Sequence, residues 1–487
     1  MKKNIIKISL AALTAFVSLT SCDRNLDQTS SINEEQNQAM TRPESFRQAM
    51  DGAYTALKGA GYYSGDTGSQ LIMGDLTTDN LIRTASGRNT NFAASNFEFS
   101  SDNSQTTGLY NAAYLVISRA NFVLSYINNG VLSGAQKTNI EAEARALRAA
   151  AHFDVVRAYS KIPTQSAEAK NSVGIYYSES YNPSNASSSR NLTVEQVYNK
   201  IIADLLFAVD NITQNDADKG RLSKAAVYGL LSRVYLYKGD YVNTIKYGEL
   251  ALGLSPSITT LDNFTRIWKE NEGLSRITDG VLFQVTNAPA EANTVGVAYN
   301  QSVPSIRSEF VVDYDLYTAY TADDIRKGAY FTTSAYSGQK YNHVTKYAGN
   351  GGPANIVPIK YLRSAEVLLN IAEAYYRSGN GTQALVLLNK LRAERHSSFT
   401  PGTEAGQALL DAILKERRLE LAFENDRWYT LKRLGLAVQR SGKGDLFDGT
   451  GTAAVAQSLP VGSDKWQWPI PITAIQANPN IEQNKGY

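Results

Sequence analysis

The sequence predicts a mainly helical protein in which paired helices carry long loop insertions and a few short strands. Three observations carry that expectation. Two stretches read as helix, glycine turn, helix: Ala226, Leu230 and Tyr235 run into Gly239-Asp240-Tyr241, and Ala365, Leu369, Ala372 and Tyr376 run into Gly379-Asn380 and then Ala384. Small residues there let two helices approach closely while large ones fill the gaps. Elsewhere apolar residues recur at helical spacing behind cap signals. The stretches between, 60–105, 163–190 and 270–355, are rich in Gly, Ser, Asn, Thr and Tyr and read as long loops with short strands such as VLFQVT at 281–286.

The elements follow in order. Residues 23–40 are polar and nearly free of apolar periodicity, as in a flexible tether. The globule is expected to start at Thr41-Arg42-Pro43-Glu44, which reads as a capping box with Pro in the first turn. Phe46, Met50, Ala53, Tyr54 and Leu57 continue it at helical spacing. Further helices are expected over 109–127 and 140–159, and after a capping box at Thr193 and Gln196, with Val197, Ile201, Leu205 and Val209 on one face. Helix pairs are expected at 224–237 with 241–252, and at 362–377 with 382–396, followed by a last helical cluster at 405–434. The pairs resemble the tetratricopeptide repeat, whose period is about 34 residues, but long insertions separate them. Loops longer than about 15 residues in a compact protein are usually functional, so the expected architecture is a helical scaffold with a loop-built face.

Composition narrows the function. The chain has 487 residues, 43% hydrophobic and 19% charged, which is the profile of a globular protein. Lys and Arg number 48 against 46 Asp and Glu, so the strongly basic face of a nucleic-acid binder is not expected. The single Cys excludes a disulfide framework within one chain, and the three histidines, His152, His343 and His396, are too scattered for a histidine-rich metal centre.

Residues 1–21 read as an export signal: Lys2, Lys3 and Lys7, then an apolar run from Ile8 to Leu19 too short to anchor in a bilayer. Leu19-Thr20-Ser21-Cys22 resembles the bacterial lipobox, which implies cleavage before Cys22 and acylation of that residue. Removing 1–21 takes three Lys and no acid, leaving 45 basic and 46 acidic side chains. The expected organisation is a signal at 1–21, an acylated tether at 22–40 and one globular domain at 41–487.

Three segments carry a family resemblance. The first is Glu143-Ala144-Arg145-Ala146-Leu147-Arg148-Ala149, with Phe153-Asp154, Val156, Tyr159 and Ile162-Pro163. The second runs from Glu416-Arg417-Arg418-Leu419-Glu420 through Arg427-Trp428-Tyr429 to Leu434-Gly435. The third closes the chain, with Pro469-Ile470-Pro471, Asn478-Pro479-Asn480, Gln483-Asn484 and Gly486-Tyr487. With the lipobox and the helix pairs, they resemble the SusD/RagB family of surface nutrient-binding lipoproteins. Asn425-Asp426 departs from the residues common at that point of the motif. The resemblance implies a non-enzymatic, lipid-anchored protein of the outer membrane that needs no cofactor, captures oligosaccharide and delivers it to a SusC-like, TonB-dependent barrel. RagB-like members imply peptide as the alternative ligand, and a pure protein-binding scaffold is the remaining alternative.

Candidate chemistry is weighed on this basis. Glu416, Glu420 and Glu424 stand at i, i+4 and i+8, which puts them on one helix face, where pairing with Arg417, Arg418 and Arg427 is expected. A glycosidase needs two carboxyls facing each other across a substrate, about 5–9.5 Å apart. Gly349-Asn350-Gly351-Gly352 lacks the Lys-Ser/Thr of a phosphate loop. Asp75, Asp79 and Asn80 lack the spacing of a calcium loop and suit local turns. Trp428 is expected to face the core. Sugar rings offer flat C–H faces to aromatic rings and hydroxyls to Asn, Gln and Arg. By region of the family alone, ligand contacts are expected from Arg83, Arg88, Asn89, Asn91 and Phe92, and from Tyr299, Asn300 and Gln301, at a shallow, uncharged site.

Overall fold

The structure is a computed structural model and describes residues 39–182, 188–215, 217–269, 279–286, 295–301, 305–348 and 358–487. Cys22, the tether and the 349–352 stretch lie outside the described residues. Among the described residues nine longer helices form the scaffold: α1 (Pro43–Ala56), α2 (Ser104–Tyr126), α3 (Gly134–Tyr159), α4 (Val194–Asn211), α5 (Lys224–Lys238), α6 (Tyr241–Leu254), α7 (Ser364–Arg377), α8 (Gly381–Ala393) and α9 (Gly406–Glu420). Eight short strands accompany them among the described residues: β1 (Leu81–Arg83), β2 (Val281–Val285), β3 (Phe310–Val312), β4 (Phe331–Tyr336), β5 (Gln339–Val344), β6 (Ile359–Arg363), β7 (Val438–Gln439) and β8 (Ser458–Leu459). The mainly helical expectation holds, and both glycine-turned helix pairs form.

Local chemistry explains the pairs. Gly239 ends α5 with φ +80°, a left-handed conformation that costs glycine little. The Asp240 side chain then caps α6 by accepting the Asn243 N–H at 3.1 Å. Gly248 faces α7, where an added Cβ would lie 2.5 Å from the Ile371 side chain, so this crossing needs a bare backbone. Thr193 and Gln196 form the expected capping box of α4. α1 starts one residue later than the expected box, with Arg42 rather than Thr41 at the N-cap and Pro43 in the first turn. Leu362 and Arg363 belong to β6 rather than to the helix after them, because a β2–β6 ladder buries them from 281 to 363.

The three motif segments meet at the C-terminal end of α3. Lys432 donates to the carbonyls of Arg157 and Ser160, each at 2.8 Å, satisfying acceptors that a helix end leaves open. Asn484 donates to the Tyr159 and Trp468 carbonyls at 2.6 and 2.7 Å. Trp428 is fully buried beside Trp466, ring centroids 4.4 Å apart.

The acidic residues of the second segment are structural, though with other partners than expected. α9 ends at Glu420, so Glu424 is not on its face. Glu420 is buried among Arg326, Arg363 and Arg395, at 3.2, 2.7 and 2.8 Å. Glu416 pairs with Arg326 at 2.6 Å, and Glu424 with Arg363 and Lys346 at 2.6 and 2.8 Å. Arg417 turns to Asp426, and Arg418 and Arg427 to Asp79. Neighbours in sequence point to different sides of a helix, so these ion pairs close between distant elements instead. Asp75 is likewise more than a local turn. It is buried and accepts the Phe423 N–H at 3.0 Å and the Asn80 amide at 2.7 Å, and burial pushes its carboxyl up to about 6.

Candidate functional site

The loop-built face grows from a four-stranded antiparallel sheet of order β1-β3-β5-β4. Leu81 pairs with Val312 and Arg83 with Phe310. Strand alternation sends Leu81, Phe310 and Val312 into the main core, and Ile82 and Val311 into a small cluster with Tyr341. This register places the loop after β1 beside the segment that leads into β3. Thr84 continues the ladder, its N–H donating to the Glu309 carbonyl at 3.0 Å and its hydroxyl to the Ser308 carbonyl at 2.6 Å.

Glu309 joins the two expected ligand regions. Its side chain is fully buried and accepts the backbone N–H groups of Arg88 at 2.8 Å and Thr90 at 2.7 Å. The Thr90 hydroxyl at 3.0 Å and the Gln301 amide at 3.2 Å also donate to it, and the Arg88 guanidinium stands 3.6 Å away. Gly87 crosses directly over this strand: a Cβ there would lie 3.1 Å from the Glu309 Cα. Asn91 is buried and holds the loop to its other neighbour, accepting the Gly68 N–H and donating to the Asp66 carbonyl, both at 3.1 Å.

The outward residues of the first loop are Arg83, Arg88, Asn89 and Phe92. The Arg83 guanidinium lies 4.7 Å from the Phe92 ring centroid and donates to Asn89. Phe92 opens the short helix Phe92–Ser95 and is half-buried, leaving part of its ring available. Arg88 pairs with Asp66. Asn300 and Gln301 are half-buried at the neighbouring segment, where the Gln301 N–H donates to the Arg307 carbonyl at 2.7 Å.

Tyr299 corrects the sequence reading. It is 1% exposed and packs among Phe310, Tyr347 and Phe423, with centroids 6.3–6.4 Å away. The short helix Val295–Tyr299 turns its ring inward, where burial raises the phenol well above its ordinary value. A ring so enclosed has no face left for a sugar. Asn91, also buried, serves as a loop anchor instead of a contact.

Other residues at the face had no signal in the sequence. Arg307 donates to the Ser86 carbonyl at 2.8 Å and lies 6.0 Å from the Tyr336 ring centroid. Asp445 accepts the Ala85 N–H at 2.9 Å and the Thr452 N–H at 2.7 Å, docking a third loop from the far end of the chain. Sequence separations of more than two hundred residues hide both. Among these residues the guanidinium groups of Arg83, Arg88 and Arg307 equal in number the carboxylates of Asp66, Glu309 and Asp445, so they carry no formal net charge together. Such an arrangement of aromatic surface and amide, guanidinium and carboxylate groups suits a ligand rich in hydroxyls.

The family model described as "SusD family" matches residues 298–487, and the one described as "Starch-binding associating with outer membrane" matches residues 26–236. A SusD-like protein of Formosa agariphila is 26% identical over 483 residues, covering 85% of this chain and 89% of its own. A candidate sugar-binding protein of Bacteroides vulgatus has a crystal structure that superposes with a TM-score of 0.79 at 25% identity, covering 92% of this chain and 99% of its own. Surface glycan-binding protein A of Bacteroides uniformis shares the fold, with a TM-score of 0.69 at 21% identity over 91% of this chain and 99% of its own.

Proposed function

From the premise that this chain belongs to the SusD/RagB family, we propose that it is a non-catalytic receptor for oligosaccharide at the outer membrane. It is held there by acyl chains on Cys22 and passes its ligand to a SusC-like, TonB-dependent barrel. The observation that carries the reading is Glu309, which gathers Arg83, Arg88, Asn89 and Phe92 on one side and Asn300 and Gln301 on the other into one uncharged, partly aromatic face. The starch-binding description of the family model over residues 26–236, which include the first of these loops, supports carbohydrate as the ligand.

In this reading Phe92 stacks on a sugar ring, with Arg83 fixing its tilt, and Asn89, Arg88, Asn300 and Gln301 meet hydroxyls. The carboxylates at this face and in the second motif segment are already engaged. Glu309 is enclosed by four donors and Asp66 is paired with Arg88. Glu416, Glu420 and Glu424 are bound by guanidinium and ammonium groups. Two acyl chains make a stable anchor where one gives only marginal binding, and no helix among the described residues is long and apolar enough to cross a membrane.

The test is depletion. Immobilised protein is incubated with a mixture of soluble oligosaccharides and peptides, and the supernatant is resolved by chromatography. The reading requires an oligosaccharide to be withdrawn unchanged. Withdrawal of peptide alone would move the protein to the RagB-like alternative, and shortened products would make it an enzyme.

A further inference from the structure

A second cleft, of about 420 Å³, shares no lining residue with the face built around Glu309. It lies between the turn after the short helix Tyr314–Ala319, the segment that follows α8, and α9. Its size falls within the range of about 300–1,000 Å³ usual for small-ligand sites. The walls are tied together: the Ser397 N–H donates to the Asp323 carbonyl and the Ile325 N–H to the Arg395 carbonyl, both at 3.0 Å. Asn389 exchanges two hydrogen bonds with the Gly402 backbone, at 2.9 and 3.0 Å.

The lining has a distinctive chemistry. Phe399 is half-buried, yet it belongs to none of the apolar clusters and has no ring partner among the described residues. Its ring lines the cleft instead. Around it stand His396, whose Nδ1 lies 3.2 Å from Asp323, and Arg392, which reaches Glu404 at 2.9 Å. Asp324 and Glu416 also line the cleft but are held by Arg326 beneath it, at 2.8 and 2.6 Å. Arg392 also reaches Glu416 at 3.4 Å, so the lining holds four carboxylates, on Asp323, Asp324, Glu404 and Glu416, against the two cations of Arg392 and Lys415. Donors, an excess of acceptors and one aromatic face form a lining that recognises a polyhydroxylated ring and disfavours an anionic one.

We propose that this cleft is a second sugar subsite, which takes a neutral mono- or disaccharide unit with Phe399 against its C–H face and Asp323, Glu404, Arg392 and His396 on its hydroxyls. It is independent of the face around Glu309, so either site stands if the other fails.

His396 supplies the test. His152 and His343 are 0% and 1% exposed, so His396 has the only accessible imidazole of the three. Its ring resonance, assigned by its loss in His396→Gln, is followed by NMR in the purified full chain during titration with glucose, galactose, maltose, cellobiose and lactose. At least one sugar is expected to shift it saturably while the other two histidine signals stay fixed. Phe399→Ala is expected to weaken that binding by about fivefold or more, by analogy with the stacking of other rings on aromatic side chains, with an unchanged melting temperature. Phe92→Ala is expected to leave it unchanged. A His396 signal that none of the five sugars moves, a shift insensitive to Phe399→Ala, or one abolished by Phe92→Ala would overturn the proposal.

Discussion

The Glu309 carboxylate accepts the backbone N–H of Thr90 at 2.7 Å across 219 residues of sequence. This bond and its twin to the Arg88 N–H give the first loop its shape. An unmet buried donor costs about 1–3 kcal/mol. Glu309→Ala leaves two N–H groups without their acceptor, so the Arg88 and Thr90 amides should exchange hydrogen at least about tenfold faster, and oligosaccharide affinity should fall with them. Hydrogen exchange read residue by residue checks this; unchanged protection at both amides would show that the loop is held by other means.

Tyr299 should behave as a core residue. Its hydroxyl has no hydrogen-bond partner among the described residues, so Tyr299→Phe should leave stability unchanged or slightly raised. Tyr299→Ala removes a ring packed against three others and should cost about 3–5 kcal/mol in chemical denaturation. A binding defect in Tyr299→Phe with normal stability would return this residue to the ligand face.

Acid should weaken the helical scaffold through Glu373. Burial alone would raise this carboxyl, but Arg433 and Arg377, each at 2.8 Å, outweigh it and bring it down to about 2 from an ordinary 4.5. A group lowered on folding contributes stability that is complete above its unfolded value and lost as pH falls towards its folded one. The window is therefore from about pH 4.5 to about pH 2, and the contribution is about 3 kcal/mol at 1.36 kcal/mol per unit. Glu373→Gln should lose that stability at neutral pH and show a flatter acid limb. Urea midpoints measured across this window test it, and a variant as acid-sensitive as the native protein would assign the effect elsewhere.

Attachment should depend on one residue. Cys22→Ala should move the protein from the detergent phase to the aqueous phase on partitioning, because it removes the acylation point that the lipobox implies. A variant that stays in the detergent phase would exclude a Cys22-linked anchor.

Much of the scaffold was legible because its signals are local. The Thr193 box and the Gly239 turn each span only a few residues. The family motif was legible as a pattern but not as a mechanism. Lys432, Asn484 and Tyr159 meet only in space, at the end of α3. The partners of Glu416, Glu420 and Glu424 were misread for the same reason, since Arg326, Arg363 and Arg395 arrive from other elements. The two expected loop regions do meet, at Glu309, but which way a ring points within a five-residue helix is set by tertiary packing, and Tyr299 turned inward. Arg307 and Asp445 carry no short-range pattern at all.

The most direct measurement is calorimetry of Phe92→Ala against the oligosaccharide that the native protein withdraws from solution, at low and high salt. Phe92 is half-buried beneath Arg83 on a face without net charge. The variant should bind more weakly by about 1–3 kcal/mol, as for rings stacked on aromatic side chains elsewhere, with an unchanged melting temperature. Affinity of the native protein should hardly respond to salt, because no unbalanced charge is there to be screened. Native affinity in Phe92→Ala, or a steep salt dependence of the native protein, would contradict an uncharged sugar face built around Glu309.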